Sequence, residues 1–398
     1  MERETLVDRM KILKVWSFWQ EDIKYHDHYL AEAMLPLGVE TTFLAPDKVE
    51  KSLWPFLKQV RFDPGERLLD FYRVIRLRSV DFFGKFIVTD LPTAVRVTNR
   101  NYDVIHIFGI SNMITFLILT ILLLKRKRPV IVVSDHSHPD DKKTSLAARL
   151  YYLIFKLLFK IYAPMIERLI VPNLPSLRYL KERYSITDES IFKIIPLGFH
   201  GGIFRHDIRK KNTSSELVIG FAGKIYPEKC IEKLIRALVA FGPDEVRLVI
   251  AGINIKSPSD YQRRLIDLVA SLKLPNVEFR KFIDSPVDLA EYYNYIDVAV
   301  FPGSLSITTL EASGCGTPVI LFESTEGLED RVDNGRGVLF ETEPEMISAL
   351  RRFVALKKSN GIDNVHVSRQ SQRFAWDNIS QLYIEEYQRI DRLHRSNA

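Results

Sequence analysis

Two stretches of this 398-residue chain combine small residues with charge in a way that suits an anionic ligand. The first is Gly220-Phe221-Ala222-Gly223-Lys224-Ile225-Tyr226-Pro227-Glu228-Lys229. A strand ends in small residues, two lysines follow five apart, and a helix begins. A glycine such as Gly223 lets the backbone approach a ligand closely, and two ammonium groups can flank a pyrophosphate. Taken alone, the pattern is also common surface charge. The second stretch runs from Phe301 to Pro318. A strand passes into a loop with Gly303 and Ser304, which opens a helix whose first turn presents Ser306, Thr308 and Thr309. Exposed amides and the positive helix end make such a turn an anion site. Glu311, one turn in, can accept two hydrogen bonds from a vicinal diol such as a ribose. The alternative is that Ser306 caps the helix and Glu311 is solvated or partly buried on its flank.

The histidines offer further chemistry. His136 ends a strand in Val130-Ile131-Val132-Val133-Ser134-Asp135-His136, and His138 stands two residues on. A strand-end histidine is either functional or a satisfied structural group. His26 and His28 straddle Asp27, but no third ligand stands in spacing, so a helix-surface reading is preferred to a metal site.

Together the two stretches resemble the donor half of retaining glycosyltransferases of family 4, the glycosyl transferases group 1, which have the GT-B fold. The family's Gly-Arg-hydrophobe, two residues, Glu-Lys-Gly becomes Gly223-Lys224-Ile225-Tyr226-Pro227-Glu228-Lys229-Cys230. Its Glu-Ala-x-Ala-x-Gly-x-Pro-Val-Ile becomes Glu311-Ala312-Ser313-Gly314-Cys315-Gly316-Thr317-Pro318-Val319-Ile320. Weaker landmarks follow in order: Asp103–His106, Ser134-Asp135-His136, Ile195–Phe199, and Phe374-Ala375-Trp376 with the amphipathic run Ile379–Ile390.

The resemblance implies roles. Lys224 and Lys229 would hold the donor's diphosphate, and Glu311 the nucleotide's ribose. The loop from Gly303 through Ser304, Ser306 and Ile307 to Thr308 would offer amides to the phosphates. His136, or His138, would contact the donor sugar near the reaction centre. No divalent cation or other cofactor is expected, because positive charge at a developing diphosphate can stabilise the leaving group directly. Two departures stand out. Lys224 replaces an arginine, exchanging a bidentate fork for a point charge. The family's first motif glutamate would fall on Gly303, and its glycine loop after the first strand is absent from Ser17–His26.

The elements that must position these residues are α/β. Apolar runs at Ile12–Trp16, Glu40–Leu44, Val104–Phe108, Val130–Val133, Arg168–Val171 and Phe192–Ile195 predict strands in the first half. In the second half, strands at Leu217–Phe221, Val246–Ile250, Val277–Phe279, Val298–Phe301 and Pro318–Leu321 alternate with helices at Cys230–Val239, Tyr261–Leu272, Leu289–Tyr295 and Thr308–Gly314. This alternation predicts doubly wound parallel sheets, with ligands beyond the carboxyl ends of the strands. The expectation is two Rossmann-like domains facing a central cleft. Residues 1–205 form the acceptor side, residues 206–376 the donor domain, and helix 377–398 crosses back onto the first.

Composition narrows the partners. At 46% hydrophobic and 27% charged, the chain is globular rather than disordered. A net charge of +6, with no basic tract beyond Lys125–Arg128, favours nucleotide phosphates or anionic headgroups over nucleic acid. Cys230 and Cys315 alone make no disulfide framework, which fits a reducing compartment. Met113–Leu124 is too short to span a bilayer and is read as a buried helix. Arg149–Ile166 is read as buried too, or as an interfacial helix on an anionic membrane. The expected activity is transfer of a hexose-type sugar from a nucleoside diphosphate sugar to a glycan or lipid-linked acceptor, for cell-surface polysaccharide or glycolipid. The setting would be cytoplasmic or peripheral at the inner membrane face. A non-catalytic nucleotide-sugar-binding subunit and a sugar-nucleotide epimerase are the alternatives.

Overall fold

The computed structural model describes residues 9–396 except 18, 22–25, 50–58, 83–84, 138–145, 255–256, 304–305 and 324–327. The chain divides into two units. Unit 1 runs to Pro196 and takes the chain back from Ile379, and unit 2 is Leu197–Asn378. The division falls before Leu197 and not at 205/206 because Phe199 is tied to the far end of unit 2. Its amide donates to the Phe374 carbonyl at 2.9 Å, and the Trp376 amide donates to its carbonyl at 2.9 Å. Two of the sequence landmarks are thus paired with each other.

Unit 1 is built on strands β1 (Met10–Trp16), β2 (Val39–Pro46), β3 (Gly65–Leu69), β4 (Tyr72–Leu77), β5 (Ser79–Phe82), β6 (Lys85–Val88), β7 (Val104–Phe108), β8 (Val130–Ser134), β9 (Arg168–Val171) and β10 (Phe192–Ile194). Eight of them form one sheet in the order β10-β9-β8-β7-β1-β2-β4-β3. All its pairs are parallel except β3–β4, and β5–β6 is a separate antiparallel hairpin. Strands such as β7 and β8 read as continuous apolar runs because helices cover both faces. The helices are α1 (His26–Met34), α2 (Leu91–Thr98), α3 (Met113–Leu123), α4 (Leu146–Tyr162) and α5 (Leu174–Tyr184).

Two sequence readings of these helices need correction. α1 is not a surface helix at its start: Asp27 and His28 are buried, and His28 stacks on Trp19 at 3.7 Å. α4 is not a buried helix. Phe155, Phe159 and Tyr162 face the core, while Leu146, Leu150, Leu153, Ile154, Leu157 and Ile161 are exposed. α3 buries one side through Ile114, Phe116, Ile118, Leu119 and Leu122 and leaves Leu123 and Leu124 outside.

Unit 2 carries β11 (Leu217–Ala222), β12 (Val246–Ile253), β13 (Val277–Lys281), β14 (Val298–Phe301), β15 (Val319–Phe322) and β16 (Gly337–Phe340). They form an all-parallel sheet in the order β13-β12-β11-β14-β15-β16. Helices α6 (Ile231–Ala237), α7 (Asp260–Ser271), α8 (Pro286–Tyr295), α9 (Thr308–Gly314), α10 (Glu343–Lys358) and α11 (Asn364–Ser371) flank it, and α12 (Trp376–Ser396) leads back into unit 1. The core is aliphatic and continuous, from Leu217 and Ile219 through Leu248 and Ile250 to Val298, Val300 and Ile320. The chain winds outward from β11 on one side and from β14 on the other. Adjacent β11 and β14 therefore mark the topological switch point, where open α/β sheets bind ligands.

Candidate functional site

Both motif stretches leave the sheet at that switch point. Ile219 pairs with Val298 and Gly220 with Ala299, so the loops that follow start side by side. Gly220 has no room for a side chain, since a Cβ would meet Ile296 Cδ1 at 2.2 Å and the Tyr292 hydroxyl at 2.7 Å. That hydroxyl donates to the carbonyls of Val249 (2.7 Å) and Phe221 (3.0 Å), pinning the end of β11. Gly223 then takes φ +147°, and the chain turns outward to Lys224.

The two loops touch. A Cβ on Gly303 would lie 2.2 Å from the Glu228 carbonyl oxygen and 2.7 Å from the Lys229 carbonyl carbon. Only hydrogen fits, and the backbone of the second loop rests on the peptide carrying Lys229. A second close pass, which sequence reasoning missed, supports the first loop. A Cβ on Gly252 would stand 1.9 Å from the Gly223 carbonyl oxygen. A glycine at the end of an otherwise apolar strand, in Ala251-Gly252-Ile253, was the available signal.

Pro227–Lys229 forms one turn of 3-10 helix, and Cys230 closes it at φ +51°, ψ +37°. Left-handed backbone there explains why the resembling pattern carries glycine. Lys224 is exposed and Lys229 half-buried, and burial lowers the pKa of both ammonium groups, with Glu228 opposing this at Lys229. Each lysine is thereby poised to gain from an anion that restores its lost solvation.

In the second loop, Ser306 Oγ lies 2.5 Å from Thr308 Oγ1, and the Ser306 carbonyl accepts from Thr309 Oγ1 at 3.1 Å. The residue preceding α9 is Ile307, with no side-chain cap, so Ser306 does not cap the helix with its hydroxyl. Ser304 lies outside the described residues. Glu311 is half-buried on α9, and burial pushes its carboxyl up to about 7. The buried Tyr293 hydroxyl of α8 and the buried Cys315 thiol are pushed up by burial first and then by the Glu311 charge. A carboxyl whose charge is disfavoured by burial is stabilised when ligand hydroxyls donate to it.

His136 belongs to unit 1, just beyond β8, and His138 lies outside the described residues. His136 packs beside His26 (ring centroids 4.5 Å) and edge-on to Phe108 (4.8 Å). Burial, and then the neighbouring His26, lower its pKa well below the ordinary value, so the ring is neutral near pH 7. Around it lies a polar network that the sequence reading did not foresee. Lys14 of β1 pairs with Asp27, and His26 Nε2 lies 2.9 Å from the same carboxylate. Burial alone would raise the Asp27 carboxyl, but Lys14 and His26 hold it well below the usual range. His106 bridges Tyr387 Oη (2.6 Å) and Ser134 Oγ (2.5 Å), and burial takes its pKa down to about 3. A charged lysine inside a strand that otherwise reads as apolar was the one available hint. Among the described residues no group of three or more His, Cys, Asp or Glu is arranged to hold a metal ion.

Comparison with known proteins bears on unit 2 first. Residues 204–362 match the family model described as glycosyl transferases group 1. The D-inositol 3-phosphate glycosyltransferase of Stackebrandtia nassauensis is 34% identical over 151 residues, 35% of this chain and 34% of that protein. The capsular polysaccharide biosynthesis glycosyltransferase CapM of Staphylococcus aureus is 26% identical over 190 residues, 44% of this chain and 47% of that one. The matches thus span about a third to a half of these curated relatives. Solved structures resemble the whole chain. Sucrose-phosphate synthase from Thermosynechococcus elongatus has a TM-score of 0.68 at 20% identity, covering 96% of this chain and 99% of that one. Anabaena Alr3699/HepE in complex with UDP has a TM-score of 0.69 at 16% identity, covering 95% and 99%. At these identities the likeness establishes the fold: two Rossmann-like units of the GT-B class.

Proposed function

We propose, from the premise that residues 204–362 belong to the glycosyl transferases group 1, that the chain moves a hexose-type sugar from a nucleoside diphosphate sugar to a glycan or lipid-linked acceptor. Anomeric configuration is retained in this reading. The observation that carries it is the seat of Gly303 on the Glu228–Lys229 peptide, which gathers both motif loops at the switch point of one sheet.

In this reading the diphosphate lies between Lys224, Lys229 and the loop Gly303–Thr308, and Glu311 takes the ribose hydroxyls. As the glycosidic bond to the diphosphate lengthens, negative charge grows on the leaving oxygens. Two partly desolvated ammonium groups then stabilise the transition state more than the ground state. No metal is assigned a step. His136 is included on the resemblance alone, as a neutral ring contacting the sugar. That the neighbouring HepE structure holds UDP supports a nucleotide donor.

Incubation with radiolabelled UDP-, GDP- and ADP-sugars, with and without a membrane-lipid extract as acceptor, tests the proposal. Label transferred or released from one donor supports it. Absence of transfer, hydrolysis and nucleotide binding across all three sinks it. A second reading, a nucleotide-sugar-binding subunit without turnover, is favoured by Gly303 itself. The position where the resembling proteins carry a sugar-contacting glutamate has no room here for any side chain. Nucleotide-dependent thermal stabilisation without label release would select that reading.

A further inference from the structure

The outward face of α4 has no counterpart in the donor chemistry. Leu146, Leu150, Leu153, Ile154, Leu157 and Ile161 are between 48% and 83% exposed. Their spacing of four, three, one, three and four residues puts them on one side of the helix, opposite Phe155, Phe159 and Tyr162. α3 runs alongside α4. Tyr151 Oη donates to the Ser111 carbonyl near the start of α3, and Tyr162 Oη lies 2.7 Å from Thr120 Oγ1 near its end. The two helices therefore run side by side in the same direction. Leu123 and Leu124, 47% and 84% exposed at and just past the end of α3, add apolar surface at the same end of the helix pair as Ile161.

Charge identifies what covers this surface. Neither 113–129 nor 146–162 contains an acidic residue, whereas together they hold seven cations: Lys125, Arg126, Lys127, Arg128, Arg149, Lys156 and Lys160. The net charge of the chain is +6, so everything outside these two segments nets −1. Arg126, Lys127, Arg149 and Lys160 are exposed, and Lys156 is half-buried. Lys125 is held by the Thr98 carbonyl. The excess positive charge of the protein is thus concentrated beside an exposed aliphatic stripe. A second copy of this face would bring seven cations against seven. An anionic bilayer instead accepts the leucines among its acyl chains and the cations among its headgroups.

We propose that α4 and the end of α3 form a docking surface for an anionic lipid bilayer, on which unit 1 lies without crossing it. Among the described residues no helix is long and apolar enough to span a membrane. This surface is independent of the donor chemistry of unit 2 and stands or falls apart from it.

The test is co-sedimentation of the full chain with sucrose-loaded vesicles of phosphatidylcholine, alone or with phosphatidylglycerol, at two salt concentrations. The expected result is binding that needs phosphatidylglycerol and weakens in high salt. The double variant Leu153→Glu/Leu157→Glu should lose it by more than tenfold. Arg149→Gln/Lys160→Gln should lose it by roughly twentyfold or more, as each cation near an anionic surface contributes a factor of about five. All four positions point outward, so melting temperatures should match wild type. Three results would overturn the proposal: no binding to either vesicle, equal binding to both, or a wild-type dimer in light scattering that Leu153→Glu/Leu157→Glu dissociates. If that variant failed to fold, the charge pair alone would decide.

Discussion

Replacing Gly303 with alanine isolates the contact on which the proposed donor site depends. The position needs no left-handed backbone, so the alanine meets only a packing problem. Its Cβ would start 2.2 Å from the Glu228 carbonyl oxygen and 2.7 Å from the Lys229 carbonyl carbon. Ordinary contact lies near 3.5 Å, so one loop must move on the order of 1 Å. Overpacking of this kind costs about 1–3 kcal/mol. The loop that yields most readily is the exposed turn carrying Lys229, so much of the cost should fall on ligand binding. That corresponds to roughly a 5- to 150-fold weaker nucleoside diphosphate. Isothermal titration with UDP, GDP and ADP identifies the tightest nucleotide for the wild type, and the variant is then measured against it. Lys229→Ala, which removes one charge-assisted contact worth about 1.5–3 kcal/mol, should weaken binding by a similar factor. A Gly303→Ala protein that binds within twofold of wild type would show that the two loops do not share a ligand.

Three further outcomes follow from the same geometry. With the Glu311 carboxyl raised to about 7 from an ordinary 4.5, the folded protein keeps a proton that the unfolded chain has lost between those values. This group therefore makes stability fall as pH rises from 4.5 to about 7. Glu311→Gln should flatten that slope in melting curves, and wild-type nucleotide binding at pH 7 should release a fraction of a proton that the variant does not. Cys230 sits at φ +51°, where a non-glycine residue costs about 1–2 kcal/mol and glycine's extra chain entropy returns about 0.5–1. Cys230→Gly should then be neutral or raise the melting temperature by a few degrees, and a fall of several degrees would contradict the assigned backbone. Because lysines carry the leaving-group charge in this account, a chelator should leave turnover unchanged, while Lys224→Ala should lower kcat by about 10²–10³-fold.

Much of unit 2 was legible because its strands are buried on both faces and so appear as unbroken apolar runs. Val298–Phe301 and Thr308–Gly314 have the bounds the sequence suggested. Unit 1 was less legible where burial is one-sided. Strands β3 to β6 were missed: Gly65–Leu69 is a mostly exposed edge strand, and Tyr72–Leu77, although largely buried, is interrupted by Arg73 and the buried Arg76 and so does not read as an apolar run. The readings of α1 and α4 failed in opposite directions for one reason: composition does not say which side of a helix a neighbour covers. His28 is polar yet lies under Trp19, and Leu157 is apolar yet faces outward. At the candidate site the residue types could be read directly, whereas their meeting depends on contacts between loops 70 or more residues apart. Only the glycines hinted at that.

A structure determined with the bound nucleoside diphosphate sugar tests the central claim most directly. The diphosphate oxygens should lie within about 3 Å of both the Lys224 and Lys229 ammonium groups, beside the Gly303–Thr308 backbone, with the ribose hydroxyls on Glu311. A nucleotide held elsewhere, or a diphosphate that touches neither lysine, would contradict it.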